Sequence, residues 1–483
     1  MSAERLSALD ASFLAVETAA SPMHVGWVAV YDPPEDGPSP TFADLFRHLA
    51  GRLERAPRYR QRLAGVPFGL HEPVWVDDPG FDPAAHLLPA DGSDLSAIVD
   101  AVLSTPLARD RPLWEMWIAD SLPGGRIGVV GKAHHCMVDG TAVVELGKLL
   151  LDTVPDVEEP RAAARAAAPA PTRASDDRWT PTSAPSGRER LARAVMDRAA
   201  DTASLALTPV RLAARPRGLP GLARRGARTL AHTVLPPAPG SPLNRPGSPR
   251  RRHVRVTRSL GELREIRKRF RVSPNDVVIA ACAGGLRRFA ERRGETPQRL
   301  KVMVPADVRG TEDADSGNRI SFSFIDLPCD VPDAVARLRA VNDATAQRAR
   351  DGEAEDVDAA FQTLALTPRP LQRALAHAFA HPRLSNLTIS TVAAAAPPRY
   401  MRGCRLREVH SAVPLTGSHA LSIGVVMVAG QVCFGVLADA ETLPDADALG
   451  EDIDAAFEEL LAAGKPRRDL KESAARRSVE RSR

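Results

Sequence analysis

Two adjacent histidines, His134 and His135, lie in the run Gly131-Lys-Ala-His-His-Cys-Met-Val-Asp-Gly140, five and four residues ahead of Asp139. Imidazole is the side chain whose ordinary pKa lies near neutrality, so the chemistry such a residue offers is proton abstraction at physiological pH. Asp139 fits a buried ion pair that stiffens the loop, a cap on the following helix, or a simple Asp-Gly turn. Cys136 could be a thiol nucleophile, but small apolar packing suits it better.

The flanking elements must place these groups. Residues 126–133 alternate as a strand does, with Ile127, Val129, Gly131 and Ala133 on one face. Residues 141–151 follow with the apolar stripe of a helix. Neighbouring side chains on extended chain point to opposite sides, so one histidine is expected to face a reaction site and the other to pack.

Further along, residues 24–32 read as a strand, residues 42–53 as an amphipathic helix and residues 73–76 as a short strand before the Asp77-Asp-Pro-Gly turn. Residues 158–186 hold Ala, Pro, Arg and Thr without periodicity and are expected to be a flexible linker. Residues 188–230 alternate leucines with arginines, a pattern that suits either a solvated connector helix or a helix lying on an anionic membrane. A second folded part is expected from Arg251. In it Ser273-Pro-Asn-Asp276 reads as a helix start with Ser273 as cap and Asp276 at the third helical position, which makes Asp276 a capping residue. Strands are expected at 300–305, 319–327 and 387–392. Residues 421–428 and 431–438 should form a hairpin about Ala429-Gly430, before a last helix over 445–463. The expected organisation is thus 1–157, a 158–250 linker and basic segment, 251–464, and a charged tail at 465–483.

At 483 residues the chain exceeds one core, and about 150 residues per domain suggests two or three units. Lys and Arg number 64 against 60 Asp and Glu, a net +4 that creates no global field for a polyanion. Aromatics at 4% supply no stacking platform, which argues against nucleic acid. The five cysteines are scattered and odd in number, so reduced thiols and no metal site are expected. The amino-terminal residues lack the pattern of a secretory signal, and no run approaches the roughly 20 apolar residues of a membrane span. A cytoplasmic protein, peripheral on a membrane face or lipid droplet, is expected. Gly-x-Ser-x-Gly, phosphate-loop and His-Glu-x-x-His patterns are missing, which disfavours serine hydrolase, nucleotide hydrolase and that type of metalloprotease.

His-His-x-x-x-Asp-Gly is the signature of the coenzyme-A-dependent acyltransferase and condensation-domain superfamily. Leu6-Ser-Ala-Leu-Asp10-Ala-Ser-Phe13, Pro22-Met-His-Val-Gly26, Arg111-Pro-Leu-Trp-Glu115, Asn275-Asp276, Val304-Pro-Ala-Asp-Val-Arg309 and Gly317-Asn318 follow in order. Together they resemble the bacterial wax ester synthase/diacylglycerol acyltransferase family from about residue 6 to 460. One block departs: the family's Ser-Asn-Val-Pro-Gly-Pro is here Ser390-Thr-Val-Ala-Ala-Ala395, losing an amide and the special backbone freedom of Pro and Gly.

The resemblance implies an α/β, two-domain chloramphenicol-acetyltransferase-like fold and transfer of a long-chain acyl group from acyl-coenzyme A to diacylglycerol or a fatty alcohol. Acyl-coenzyme A enters as substrate; no cofactor is implied. His135 would be the general base and His134 its support. Asp139, beside Gly140, would pair structurally with Arg309. Asn275, with Ser390 behind it, would position substrate or stabilise the thioester oxygen, and Pro112, Leu113 and Trp114 would shape an acyl groove. The competing readings are a condensation-type enzyme fed by a carrier protein and a non-catalytic, lipid- or membrane-binding paralogue.

Overall fold

The computed structural model describes residues 4–53, 55–138, 146–155, 179–213, 236–307, 320–351, 367–393 and 397–463. Asp139, Gly140, Arg309, residues 158–178 and 214–235, and the tail 465–483 lie outside the described residues.

The strands of the first half are β1 (His24–Asp32), β2 (Gln61–Ala64), β3 (Val74–Asp77), β4 (Leu87–Pro89), β5 (Trp114–Leu122) and β6 (Arg126–His134). Those of the second are β7 (Arg251–Ser259), β8 (Leu300–Asp307), β9 (Ile320–Leu327), β10 (Leu387–Ala393), β11 (Tyr400–Met401), β12 (Cys404–Ala412), β13 (Leu421–Val428) and β14 (Gln431–Asp439). They form two six-stranded mixed sheets, β11-β12-β1-β6-β5-β4 and β7-β14-β13-β10-β8-β9, with β2 and β3 as a separate pair. The helices are α1 (Ala8–Val16), α2 (Phe42–Leu53), α3 (Leu95–Ser104), α4 (Gly187–Ala213), α5 (Leu260–Phe270), α6 (Pro274–Arg292), α7 (Ala334–Asp351), α8 (Arg369–Phe379) and α9 (Ala446–Ala463).

In the first sheet, period-two alternation sorts side chains into two cores. Val25, Trp27, Ala29 and Tyr31 of β1 join Ile127, Val129 and Ala133 of β6 on one face. Val28 and Val130 point the other way, onto Val99, Val102 and Leu103 of α3. Both faces of these central strands are therefore covered, which is why β1 reads as a nearly continuous apolar run.

The second sheet carries its core on α6, α7 and α9, with Val277, Leu338 and Phe457 among the buried contributors. Ser273 caps α6 and accepts from Asp276 N–H, while the Asp276 carboxylate accepts from Ser273 N–H at 2.8 Å, a closed capping box. The β13–β14 hairpin turns at Ala429 and Gly430, both at positive φ, the conformation that matches hairpin twist.

The expected boundaries are crossed twice. Residues 236–250, expected as linker, pack instead: Leu243 joins the second core, and Leu243 O accepts from Ala420 N–H at 2.8 Å. More consequentially, β11 and β12 come from the second half yet belong to the first sheet, where β12 runs antiparallel to β1 with Gly26 opposite Ala412. β12 is also bound to the second sheet. His410 Nδ1 meets Phe434 O at 3.0 Å, Ser411 O meets His253 Nε2 at 3.2 Å, and Thr257 Oγ1 donates to Glu408 at 3.1 Å. The approach is close enough that a Cβ on Gly435 would lie 2.0 Å from Ser411 O.

Helix α4 is the part of the arginine-rich stretch that is described. Two of its acidic groups meet the first half of the chain: Asp197 pairs with Arg5, and Asp201 lies 3.4 Å from His71. Arg198 donates to Leu70 O and Thr367 O, and both Arg198 and Arg369 face the buried Glu72 carboxylate. This helix is thereby fastened to both halves of the chain. Among the described residues no helix is long and apolar enough to cross a membrane.

Candidate active site

β1 and β6 bring the two histidines to the gap between the sheets. His134 closes β6, opposite His24 in the register. It is 1% exposed, its backbone N–H donates to Leu113 O at 2.9 Å, and its Nδ1 accepts from Cys136 N–H at 3.1 Å. Burial, reinforced by the Arg109 guanidinium, pushes its pKa down to about 3, so it is neutral at pH 7. His135 leaves the strand. Its N–H donates to Met23 O at 2.8 Å, and its ring stacks on Phe13 of α1, centroids 3.8 Å apart and planes 11° from parallel. The two rings thus lie in different surroundings, as neighbouring positions at the end of a strand should.

His135 opens onto a cavity of about 290 Å³ between the two sheets. One wall is the inward strip of β1, Val25, Trp27, Ala29 and Tyr31; the opposite wall includes Ser390 and Val392 of β10 and Val426 and Val428 of β13. Trp27 lies flat across Gly131, where a Cβ would fall 2.1 Å from the indole. The missing side chain at Gly131 leaves room for the Trp27 ring within the wall. Lys148 and Arg399 are the cationic residues of the lining, and His135 is the single histidine among the described residues that border it.

The remaining expected residues divide. Ser390 lines the cavity. Asn275, at the second position of α6, does not border it; its Oδ1 is buried without a hydrogen-bond partner among the described residues. Asp276 is a structural hub, accepting from Asn342 at 3.0 Å and Thr345 at 2.7 Å as well as capping its helix. Pro112, Leu113 and Trp114 were expected to shape an acyl groove and instead are packing. Leu113 joins Leu6, Trp75 and Cys136, while Trp114 donates its indole N–H to Tyr59 O at 2.7 Å and stacks on His86. Cys136 is buried and its thiol is pushed well above the ordinary value by that burial, unsuited to nucleophilic attack.

Sequence reasoning passed over Glu17, Arg109 and the β1 strip. Phe13 stood only as the end of a motif block. The strip carried no signal because β1 is apolar on both faces, and Glu17 carried none beyond being one acid at the end of an apolar helix.

The wax ester synthase/diacylglycerol acyltransferase catalytic-domain family matches residues 6–278, and its C-terminal-domain family matches residues 316–461. A Mycobacterium tuberculosis protein bearing a diacylglycerol O-acyltransferase name is 31% identical over 97% of this chain and 99% of its own length. The chain belongs to the wax ester synthase/diacylglycerol acyltransferase family. It is therefore an acyltransferase by descent. A second M. tuberculosis protein with the same kind of name is 29% identical over 96% of this chain and 97% of its own. Among solved structures, the wax ester synthase/diacylglycerol acyltransferase of Marinobacter aquaeolei VT8 superposes with a TM-score of 0.66 at 22% identity, covering 95% of this chain and 99% of that one. The first condensation domain of the CDA synthetase gives 0.56 at 17% identity, with 95% and 96% covered. Both likenesses place the fold in the two-domain chloramphenicol-acetyltransferase-like class.

Proposed function

We propose that this member of the family transfers a long-chain acyl group from acyl-coenzyme A to the hydroxyl of diacylglycerol or of a long-chain alcohol, with His135 as general base. The observation that carries this reading is the placement of His135 at the wall of a mainly apolar cavity between two sheets. Ligand sites favour such clefts, and an apolar lining with few polar groups suits an acyl chain. From Val25 to Tyr31 the β1 wall spans roughly 20 Å at about 3.3 Å per residue, a length that suits a long chain.

In this mechanism His135 takes the proton of the acceptor hydroxyl as its oxygen attacks the thioester carbonyl. The tetrahedral centre collapses by breaking the C–S bond, and the leaving thiolate recovers the proton from the imidazolium. Holding both substrates in one cavity supplies much of the rate. His134, buried and neutral, acts as support. Ser390, one of several hydroxyls that line the cavity, contacts the polar part of a substrate. The resemblance implies that Asp139 pairs structurally with Arg309; both lie outside the described residues.

Incubating the purified protein with palmitoyl-coenzyme A and either hexadecanol or a diacylglycerol, while following thiol release and lipid product, tests the reading. General-base assistance is typically worth about 100- to 10,000-fold, so His135→Ala should lose ester formation by that factor while melting as wild type does. Ester formation by the mutant at the wild-type rate would remove His135 from the mechanism. Absence of free coenzyme A with an active carrier-protein donor would move the chain to the condensation type. Peripheral attachment to an anionic membrane or lipid droplet is the companion proposal, supported by the arginine-rich stretch and by the apolar substrates. Failure to float with vesicles containing anionic lipid would refute it.

A further inference from the structure

We infer that Glu17 is a positioning residue for His135, acting through the two neighbours that hold the imidazole; the inference rests on the general-base reading above. Glu17 follows the last residue of α1, the helix that carries Phe13. Its carboxylate is only 18% exposed and serves three partners. Oε1 accepts from Met23 N–H at 3.1 Å and faces His134 Nε2 at 3.4 Å; Oε2 pairs with the Arg109 guanidinium.

The tautomer of His134 follows from these contacts. Arg109 also lies 3.5 Å from His134 Nε2, and Cys136 N–H lies 3.1 Å from Nδ1. A neutral imidazole accepts at only one nitrogen. The shorter backbone contact makes Nδ1 the acceptor, so the ring proton sits on Nε2 and is turned to Glu17. Arg109 is then satisfied by the carboxylate and not by the ring.

Two routes lead from Glu17 to His135. Met23, whose N–H Glu17 holds, accepts the His135 backbone N–H through its own carbonyl at 2.8 Å. Phe13, on the helix that ends one residue before Glu17, stacks on the His135 ring. Glu17 thus pins the backbone of the base from one side and the plane of its ring from the other, without touching the reacting atoms. A base displaced by about 1 Å can lose about 100-fold in rate.

The test compares Glu17→Ala and Glu17→Gln in the full chain, with palmitoyl-coenzyme A and the acceptor that wild type uses. Glu17→Ala should lower kcat by about 10- to 100-fold with KM for either substrate changed by less than about threefold, the split expected when geometry and not affinity is lost. Glu17→Gln keeps an acceptor for Met23 and should recover about tenfold of that loss. Imidazole 15N shifts, assigned with single histidine variants, should show His134 as the Nε2–H tautomer in wild type and lose that bias in Glu17→Ala. This measurement needs no substrate, so it reports on Glu17 even if the acyl transfer itself is misassigned. Wild-type kcat in Glu17→Ala, a change confined to KM, or an unaltered His134 tautomer would overturn the inference. If Glu17→Ala does not fold, Glu17→Asp, whose shorter side chain withdraws the carboxylate from Met23 and His134, carries the same readouts, and wild-type kcat with an unaltered His134 tautomer in that variant would overturn the inference.

Discussion

His134 and His135 are joined by one peptide bond and live in opposite surroundings. The first is enclosed, neutral and bonded to backbone; the second borders a cavity with its ring face against Phe13. That asymmetry was legible in the sequence because strand alternation and a familiar motif both announce it. The residues that line the cavity were not, because an apolar groove and an apolar core use the same side chains, and depth alone separates them. Ala29 and Trp114 make the distinction testable. Ala29 lines the cavity, so Ala29→Phe should shorten the chains accepted, read as a drop in the palmitoyl-to-octanoyl ratio of kcat/KM; an unchanged ratio would place the acyl chain elsewhere. Trp114 is 0% exposed and fully engaged, so Trp114→Ala should cost about 3–5 kcal/mol of stability and leave that ratio alone. A shifted ratio with intact melting would restore it to the groove.

Elements governed by local rules followed the sequence closely. β1, α2, the β13–β14 hairpin and the capped start of α6 all stand where periodicity, a turn dipeptide and a Ser-Pro start put them. β12 was not among the expected strands, and its partner lies across most of the chain, where no local rule reaches. Its contact with the second sheet depends on Gly435. A methyl group there meets a backbone carbonyl, which cannot rotate aside, so Gly435→Ala should destabilise by about 1–3 kcal/mol or more. Denaturant melts of the variant measure this, and wild-type stability would mean that the strands separate without cost. Activity should fall with it, because β12 supplies Leu406, Val409 and Ser411 to the cavity wall.

Across the whole molecule, several histidines are buried in their neutral form. Burial lowers His24, His134 and His253 to about 3 in the folded chain, against about 6.5 when unfolded. Between those values the unfolded chain binds more protons, so stability is complete above about pH 6.5 and declines as pH falls toward 3. Glu408 extends the trend lower: the His410 hydrogen bond, with Arg407 and Thr257 behind it, holds its carboxyl at about 2, so its contribution persists above about 4.3 and disappears as pH falls through 2. The melting temperature should therefore drop steadily from pH 7 to pH 4, and a flat profile would contradict the buried neutral histidines. The strand exchange between halves has a different consequence, one of timing. β1 leaves the ribosome early, but its neighbour β12 is made only when the chain is nearly finished. With roughly 380 residues between them and synthesis at about 5–20 residues per second, β1 waits some twenty seconds to more than a minute with one edge unpaired. A nascent chain in that state offers a bare apolar strand to any similar strand nearby. Its yield in a cell should depend on whatever shields that edge until the last hundred residues arrive.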